Sequence, residues 1–107
     1  MKATSFISIL NQLTGMGYET SNSLLIIMIL NFEFRCYWAF RFLKQAQAVL
    51  SKLLIFAQFE GWDEEVLRNY VRQGKLLRML GKWDEAIRSF CKALQITWMM
   101  DKADQEI

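Results

Sequence analysis

The stretch that most constrains the fold is residues 67–96, in which two amphipathic patterns follow one another. Apolar residues recur in each at spacings of three and four, which is typical of one face of an α-helix. The first pattern consists of Leu67, Tyr70, Val71, Gly74, Leu77 and Leu80. The second consists of Ala86, Ile87, Phe90, Ala93 and Leu94, with Cys91 at its edge. The two patterns predict a hairpin of two helices, over 63–80 and from Asp84 onward.

Two glycines and one acidic pair indicate how the hairpin is built. Gly74 lies inside the first helix, where glycine costs about 1 kcal/mol relative to alanine. We therefore expect the second helix to come very close at that point. Gly81 follows the last apolar residue, where a left-handed residue ends a helix at little cost. Asp84 is predicted to cap the second helix, and Glu85 to favour its first turn through the helix dipole.

This hairpin resembles the tetratricopeptide repeat, a helix–turn–helix unit. The resemblance covers about a third of the chain, and it implies an all-α fold and a non-catalytic role in binding other proteins, as an adaptor or scaffold. Gln73 replaces the leucine that the family has before the glycine, and Trp98 replaces the closing proline. The residues that would pack the repeat are Tyr70, Gly74, Leu77, Gly81, Trp83, Ala86, Phe90 and Ala93.

The first helix of the hairpin also carries a basic face. Its members are Arg68, Arg72, Lys75 and Arg78, at steps of four, three and three. The resemblance places this face in a concave groove, and Arg68 and Arg72 look like the basic pair that one repeat supplies to the family's carboxylate clamp. The partner it implies is an acidic peptide or C-terminal tail of another protein, since arginine can bind a carboxylate bidentately. A solvated face paired with Glu64 and Glu65 is the open alternative.

Residues 24–43 are open to more than one structural interpretation. Seven consecutive apolar residues, Leu24–Leu30, precede aromatic residues that alternate from Phe32 to Phe42. Alternation is a strand signal. However, residues 23–60 contain no glycine or proline, and a lone strand would leave its backbone without partners. The context therefore favours a helix, with a strand or a disordered segment as the alternatives.

The same segment raises the question of a membrane. About 20 residues are enough to cross a bilayer as a helix. Glu33 and Arg35 lie near its middle, and each charge there costs about 2.5–3.5 kcal/mol on insertion scales. We therefore expect a cytoplasmic protein. The alternative function is a membrane-associated protein in which residues 24–43 anchor a hairpin that faces the cytosol.

The predicted organisation is a single all-α chain in two parts. Residues 1–43 form an apolar and aromatic N-terminal segment. Residues 44–107 form the tetratricopeptide-like domain, beginning with a helix at 44–59 that Gly61 ends. The apolar face of this helix consists of Ala46, Val49, Leu50, Leu53, Leu54 and Ala57. A Trp-Asp-Glu motif at Trp62 recurs at Trp83 after 21 residues, whereas tandem repeats of this family recur at about 34. One repeat buries little core alone. We therefore expect one or two preceding helices to pack against the hairpin; the alternatives are self-association, a partner protein, or a chain that is a truncated fragment of a longer repeat array.

Composition argues against several classes of function. The chain contains no histidine, and Cys36 and Cys91 lie far apart, so the sequence predicts no metal site, no disulfide framework and two buried free thiols. A net charge of +2 gives no case for nucleic acid. The acidic clusters lie at helix starts, where the helix dipole explains them. We therefore expect neither catalysis nor a cofactor.

Overall fold

The computed structural model describes residues 23–106, with side chains described to residue 103, and all regular structure in this range is α-helical. Residues 1–22 of the predicted N-terminal segment lie outside the described residues. The four helices are α1 (Ser23–Ala39), α2 (Leu43–Glu60), α3 (Asp63–Met79) and α4 (Trp83–Glu106). The predicted all-α class is therefore confirmed.

Residues 23–39 form a helix, and the strand interpretation is wrong for them. The aromatic residues alternate in sequence, but only those at helical spacing turn inward, so Phe34 and Tyr37 are buried while Phe32 is exposed. The buried face of α1 consists of Ile26, Ile27, Leu30, Glu33, Phe34 and Tyr37. Among the residues described, no helix combines the length and the apolar character that crossing a membrane requires.

Three turns of one kind join the four helices. Each contains a residue with positive φ, at Arg41, Gly61 and Gly81, so the turns recur every 20 residues. In each turn the next residue donates its N–H to a carbonyl five residues back, a bond that satisfies the end of the preceding helix. These bonds are Phe42 to Tyr37 at 2.9 Å, Trp62 to Ala57 at 3.0 Å and Lys82 to Leu77 at 2.9 Å. The predicted left-handed ending at Gly81 is confirmed.

Arg41 was not expected to end a helix, because a left-handed conformation costs a non-glycine residue about 1–2 kcal/mol. Its own side chain makes local contacts at the turn. The guanidinium donates to the carbonyl of Trp38 at 3.0 Å and lies 5.2 Å from the centre of the Trp38 ring. Because α1 ends at Ala39, residues 24–43 are not one continuous helix.

The chain divides into two compact units, residues 1–53 and 54–107, with the boundary inside α2. Within the first unit, the core contains the buried face of α1 and the first part of α2. Within the second, it contains the end of α2 together with α3 and α4. The apolar face predicted for α2 is buried along its whole length: Ala46, Val49, Leu50, Leu53, Leu54 and Ala57.

Helices α3 and α4 form the predicted hairpin, but the residues of α4 that contact α3 differ in part from the predicted ones. Ala86, Ser89 and Ala93 are buried, whereas Ile87 is 59% and Leu94 68% exposed. The prediction that Ile87 and Leu94 face α3 is therefore wrong. Small side chains allow two helices to approach closely, so the row of Ala86, Ser89 and Ala93 makes the contact. In addition, α4 begins at Trp83, so Asp84 lies in its first turn instead of capping it.

Candidate functional site

The basic face lies on the side of α3 that points away from its buried residues. Val66, Asn69, Leu76 and Leu77 are buried on one side of the helix. Arg68, Lys75 and Arg78 are exposed on the other side, and Arg72 is half-buried. The four predicted residues therefore share one surface of α3, over about 15 Å of helix at 1.5 Å per residue.

The N-terminal end of this face is partly neutralised. The Arg68 guanidinium forms a 2.7 Å ion pair with Glu65, three residues earlier. Exposed pairs of this kind contribute little to stability, but the pair reduces the charge that Arg68 offers to a ligand. Arg68 therefore fits the alternative interpretation, in which the basic face is solvated and paired with nearby glutamates.

Arg72 is held in place by a residue that the sequence analysis missed. Asn69 is fully buried; its Nδ2 donates to the Glu65 carbonyl at 2.8 Å. Its Oδ1 accepts a 3.1 Å hydrogen bond from Arg72 Nη1. The sequence contained a signal for the burial of Asn69, because its spacing from Val66 (three residues) and from Leu76 (seven residues) places it on the same side of the helix. Both of those residues are buried.

Lys75 and Arg78 carry the available positive charge of the face. Neither makes a hydrogen bond or an ion pair with the described residues. Arg78 lies in the last turn of α3, where a cation is stabilised by the negative end of the helix dipole. Lys82 in the following turn is also exposed. The charge that a ligand can reach is thus concentrated at the C-terminal half of α3.

The close approach predicted at Gly74 is made by a side chain, not by a backbone. A Cβ atom placed on Gly74 would lie 2.6 Å from two carbons of the Phe90 ring, far inside van der Waals contact. Phe90 is half-buried, whereas Gly74 is buried. The glycine is therefore needed for the ring of Phe90 to lie against α3.

The hairpin structure explains why glutamine stands at position 73, where the tetratricopeptide repeat has a leucine. Its Oε1 accepts a 2.9 Å hydrogen bond from Ser89 Oγ on α4. A leucine here could not accept this bond. A polar pair thus crosses the hairpin beside the contact between Gly74 and Phe90.

The other residues predicted to pack the hairpin differ in how far they are buried. Leu77, Ala86 and Ala93 are buried. The Tyr70 hydroxyl accepts a 2.9 Å hydrogen bond from Gln58, and the Lys92 ammonium lies 5.5 Å from the Tyr70 ring centre. Trp83 is exposed, so its predicted packing role is wrong for this hairpin.

Two adjoining cavities of about 480 and 440 Å³ lie beside the start of α3 and the C-terminal half of α4, and the sequence analysis did not predict them. Both are lined by Asp63 and Ile96. Glu64 and two methionines line the first cavity, and Tyr70 and Lys92 the second. The four residues of the basic face line neither, so their place in a groove stays a prediction.

The two cysteines are free, and one is not where it was expected. Cys36 is half-buried, and Cys91 is exposed on α4, so the prediction of two buried thiols is wrong for Cys91. Burial, and then the charge of Glu33, raise the pKa of the Cys36 thiol. Within residues 23–103 no group of acidic or cysteine side chains is arranged to hold a metal ion.

Comparison with protein-family models, with curated proteins and with solved structures gave no match to this chain.

Proposed function

We propose that this chain is a non-catalytic protein-interaction module that binds an acidic peptide segment of a partner through the basic face of α3. The observation that carries the proposal is the pair of exposed, unpaired cations Lys75 and Arg78 beside Arg72, whose guanidinium is bonded to the buried Asn69. The resemblance to a peptide-binding repeat points to the same face.

The dimensions of the face suit a short extended segment. Arg72 and Arg78 are six residues apart, or about 9 Å along the helix axis. An extended peptide covers this distance in about three residues. Two carboxylates about three residues apart could therefore reach Arg72 and Arg78, and a guanidinium can donate two hydrogen bonds to one carboxylate.

The test is binding of a fluorescent glutamate-rich peptide of about ten residues, followed by anisotropy at low salt. Reversing two charges in Lys75→Glu/Arg78→Glu should weaken binding by at least tenfold. The matched control is Lys44→Glu/Lys52→Glu, which changes net charge equally at exposed positions of α2 and should cost less than threefold. Arg68→Glu should have a smaller effect than Arg78→Glu, since Glu65 already neutralises Arg68.

Two outcomes would contradict the proposal. Equal losses in the double reversal and its control would mean that the peptide senses only net charge. Tighter binding of a lysine-rich peptide than of the glutamate-rich one would point to Asp63 and Glu64, beside the cavities, as the contact.

A second candidate is association with a membrane surface through α1, favoured by one observation. Leu24 and Met28, one turn apart, are both largely exposed. Flotation with lipid vesicles tests it: wild-type protein should float, and Leu24→Ser/Met28→Ser should remain with the soluble fraction. Protein that does not float with neutral or anionic vesicles would exclude this function.

A further inference from the structure

The surface of α4 that faces away from the hairpin carries a row of exposed apolar side chains, called here the outer row. Its large members are each about three-fifths exposed or more, and the free cysteine belongs to it as well. The outer row consists of Trp83, Ile87, Cys91, Leu94 and Trp98. It is separate from the contact row of Ala86, Ser89 and Ala93.

The outer row has the shape of a helix-packing seam. From Trp83 to Trp98 it runs about 22 Å along the helix, at 1.5 Å per residue. Ile87, Cys91, Leu94 and Trp98 follow steps of four, three and four, the spacing with which two helices interlock side chains along a common axis. A second helix would cover the row in one piece.

The spacing of the row also reads the same in both directions. A twofold axis between Lys92 and Ala93 relates position 87 to 98 and position 91 to 94. Self-complementarity of this kind is what a twofold interface between identical chains requires. We propose that the occupant is a second copy of this chain, with the two α4 helices antiparallel, Ile87 against Trp98 and Cys91 against Leu94 of the second copy.

The ends of the row fit the same arrangement. The axis relates Trp83 to Lys102 of the second copy, and a lysine over an indole ring is a favourable contact. Within one chain, Lys102 already lies 5.0 Å from the centre of the Trp98 ring, so its ammonium can reach this surface. Asp84 would come near Asp101 of the second copy, and Lys102 offsets only one of these two carboxylates at each end. Apolar burial must therefore supply the stability.

The area available agrees with a dimer of moderate strength. A large apolar or aromatic side chain offers about 200 Å², so four of them at about three-fifths exposure leave roughly 500 Å² per copy. Two copies would bury about 1,000 Å² of this surface, with flanking residues adding to it. Specific interfaces begin at about 1,200 Å² in total, so we expect dissociation in the micromolar range.

The first experiment measures the solution mass of the full chain by sedimentation equilibrium between about 2 and 300 μM. The mass should rise from 12.7 kDa to twice that value. Ile87→Glu and Leu94→Glu should each raise the dissociation constant at least thirtyfold. Ile55→Glu is the matched control, since Ile55 is an equally exposed aliphatic side chain on α2, and it should change the constant less than twofold. Circular dichroism checks that each variant keeps its helices.

The second experiment tests the antiparallel register by asking which pairs of introduced cysteines become linked. Ile87→Cys and Trp98→Cys are made separately in chains that also carry Cys36→Ser and Cys91→Ser. Mild oxidation should link a mixture of the two chains much faster than either chain alone. A parallel pair would instead link each chain to itself.

A chain that stays monomeric up to 300 μM would overturn the proposal. So would self-association that Ile87→Glu and Leu94→Glu leave unchanged, a particle larger than a dimer, or links formed equally well by each single chain. None of these measurements uses an acidic peptide, so the dimer and the proposed binding face succeed or fail independently.

Discussion

At the scale of single residues, the contact between Gly74 and Phe90 sets how closely α3 and α4 pack. The ring occupies the space that a Cβ on Gly74 would need, so two opposing effects meet at this position. An alanine at 74 would favour the helix by about 1 kcal/mol, while the forced displacement of packed atoms typically costs about 1–3 kcal/mol.

The two effects can be separated by a double-mutant cycle. Gly74→Ala should destabilise the wild-type chain by about 1 kcal/mol, because the cost of the clash exceeds the helix gain. In a Phe90→Ala background, the same change should stabilise by about 0.5–1 kcal/mol. Urea unfolding of the four chains measures both values. A Gly74→Ala effect of the same sign in both backgrounds would mean that Phe90 does not set the constraint.

Tyr37 provides a second prediction, for alkaline pH. It is buried in α1, and its pKa is raised above 10 by burial, then by the charge of Glu33 and by a hydrogen bond to it. Above pH 10 the unfolded chain ionises at Tyr37 before the folded chain does, so the stability present below pH 10 is lost as pH rises through the folded pKa. The urea midpoint should therefore fall between pH 9 and 11, and fall less in Tyr37→Phe. Equal losses in both chains would exclude Tyr37 as the cause.

At the scale of elements, the three turns are alike in backbone but not in sequence. Gly61 and Gly81 adopt positive φ without a side chain in the way, whereas Arg41 does so while bonded to Trp38. The regular distance between turns makes α2 and α3, which lie between them, nearly equal in length. The lengths of these helices thus depend on where a residue can adopt the left-handed backbone conformation that ends a helix.

Exchanges at the turns should show this difference. Gly81→Ala should cost about 1–2 kcal/mol, because alanine resists positive φ. Arg41→Gly should change stability by less than about 0.5 kcal/mol, because relief of the left-handed strain offsets the lost contacts with Trp38. Urea unfolding followed at 222 nm measures both changes. If Gly81→Ala were neutral, the turn at 81 would not need a glycine.

At the scale of the whole molecule, the described residues leave many large apolar side chains exposed. Contiguous exposed apolar surface of several hundred Å² commonly marks an interaction site. The outer row of α4 is of this size, and two of the four tryptophans, Trp83 and Trp98, belong to it. Tryptophan emission therefore reports in part on whether the outer row is covered.

Acrylamide quenching of this emission should depend on protein concentration. Below about 1 μM, Trp83 and Trp98 should be readily quenched, and quenching should fall about twofold as a dimer covers them. Ile87→Glu should keep the high quenching at all concentrations. Unchanged quenching across the range in the wild-type chain would show that neither ring becomes covered.

The sequence by itself determined the helices from residue 44 onward, the ends at Gly61 and Gly81, and the buried face of α2, because these follow from local spacing and from backbone conformations that few residues adopt. Only the tertiary structure decided which row of α4 packs on α3. Adjacent rows of that helix are both apolar, and the choice depends on side-chain size against the opposing surface, which periodicity does not contain. The same reason left Ile87, Leu94 and Trp83 outside and brought Asn69 and Ser89 in, where partners from other turns and from α3 satisfy their polar groups.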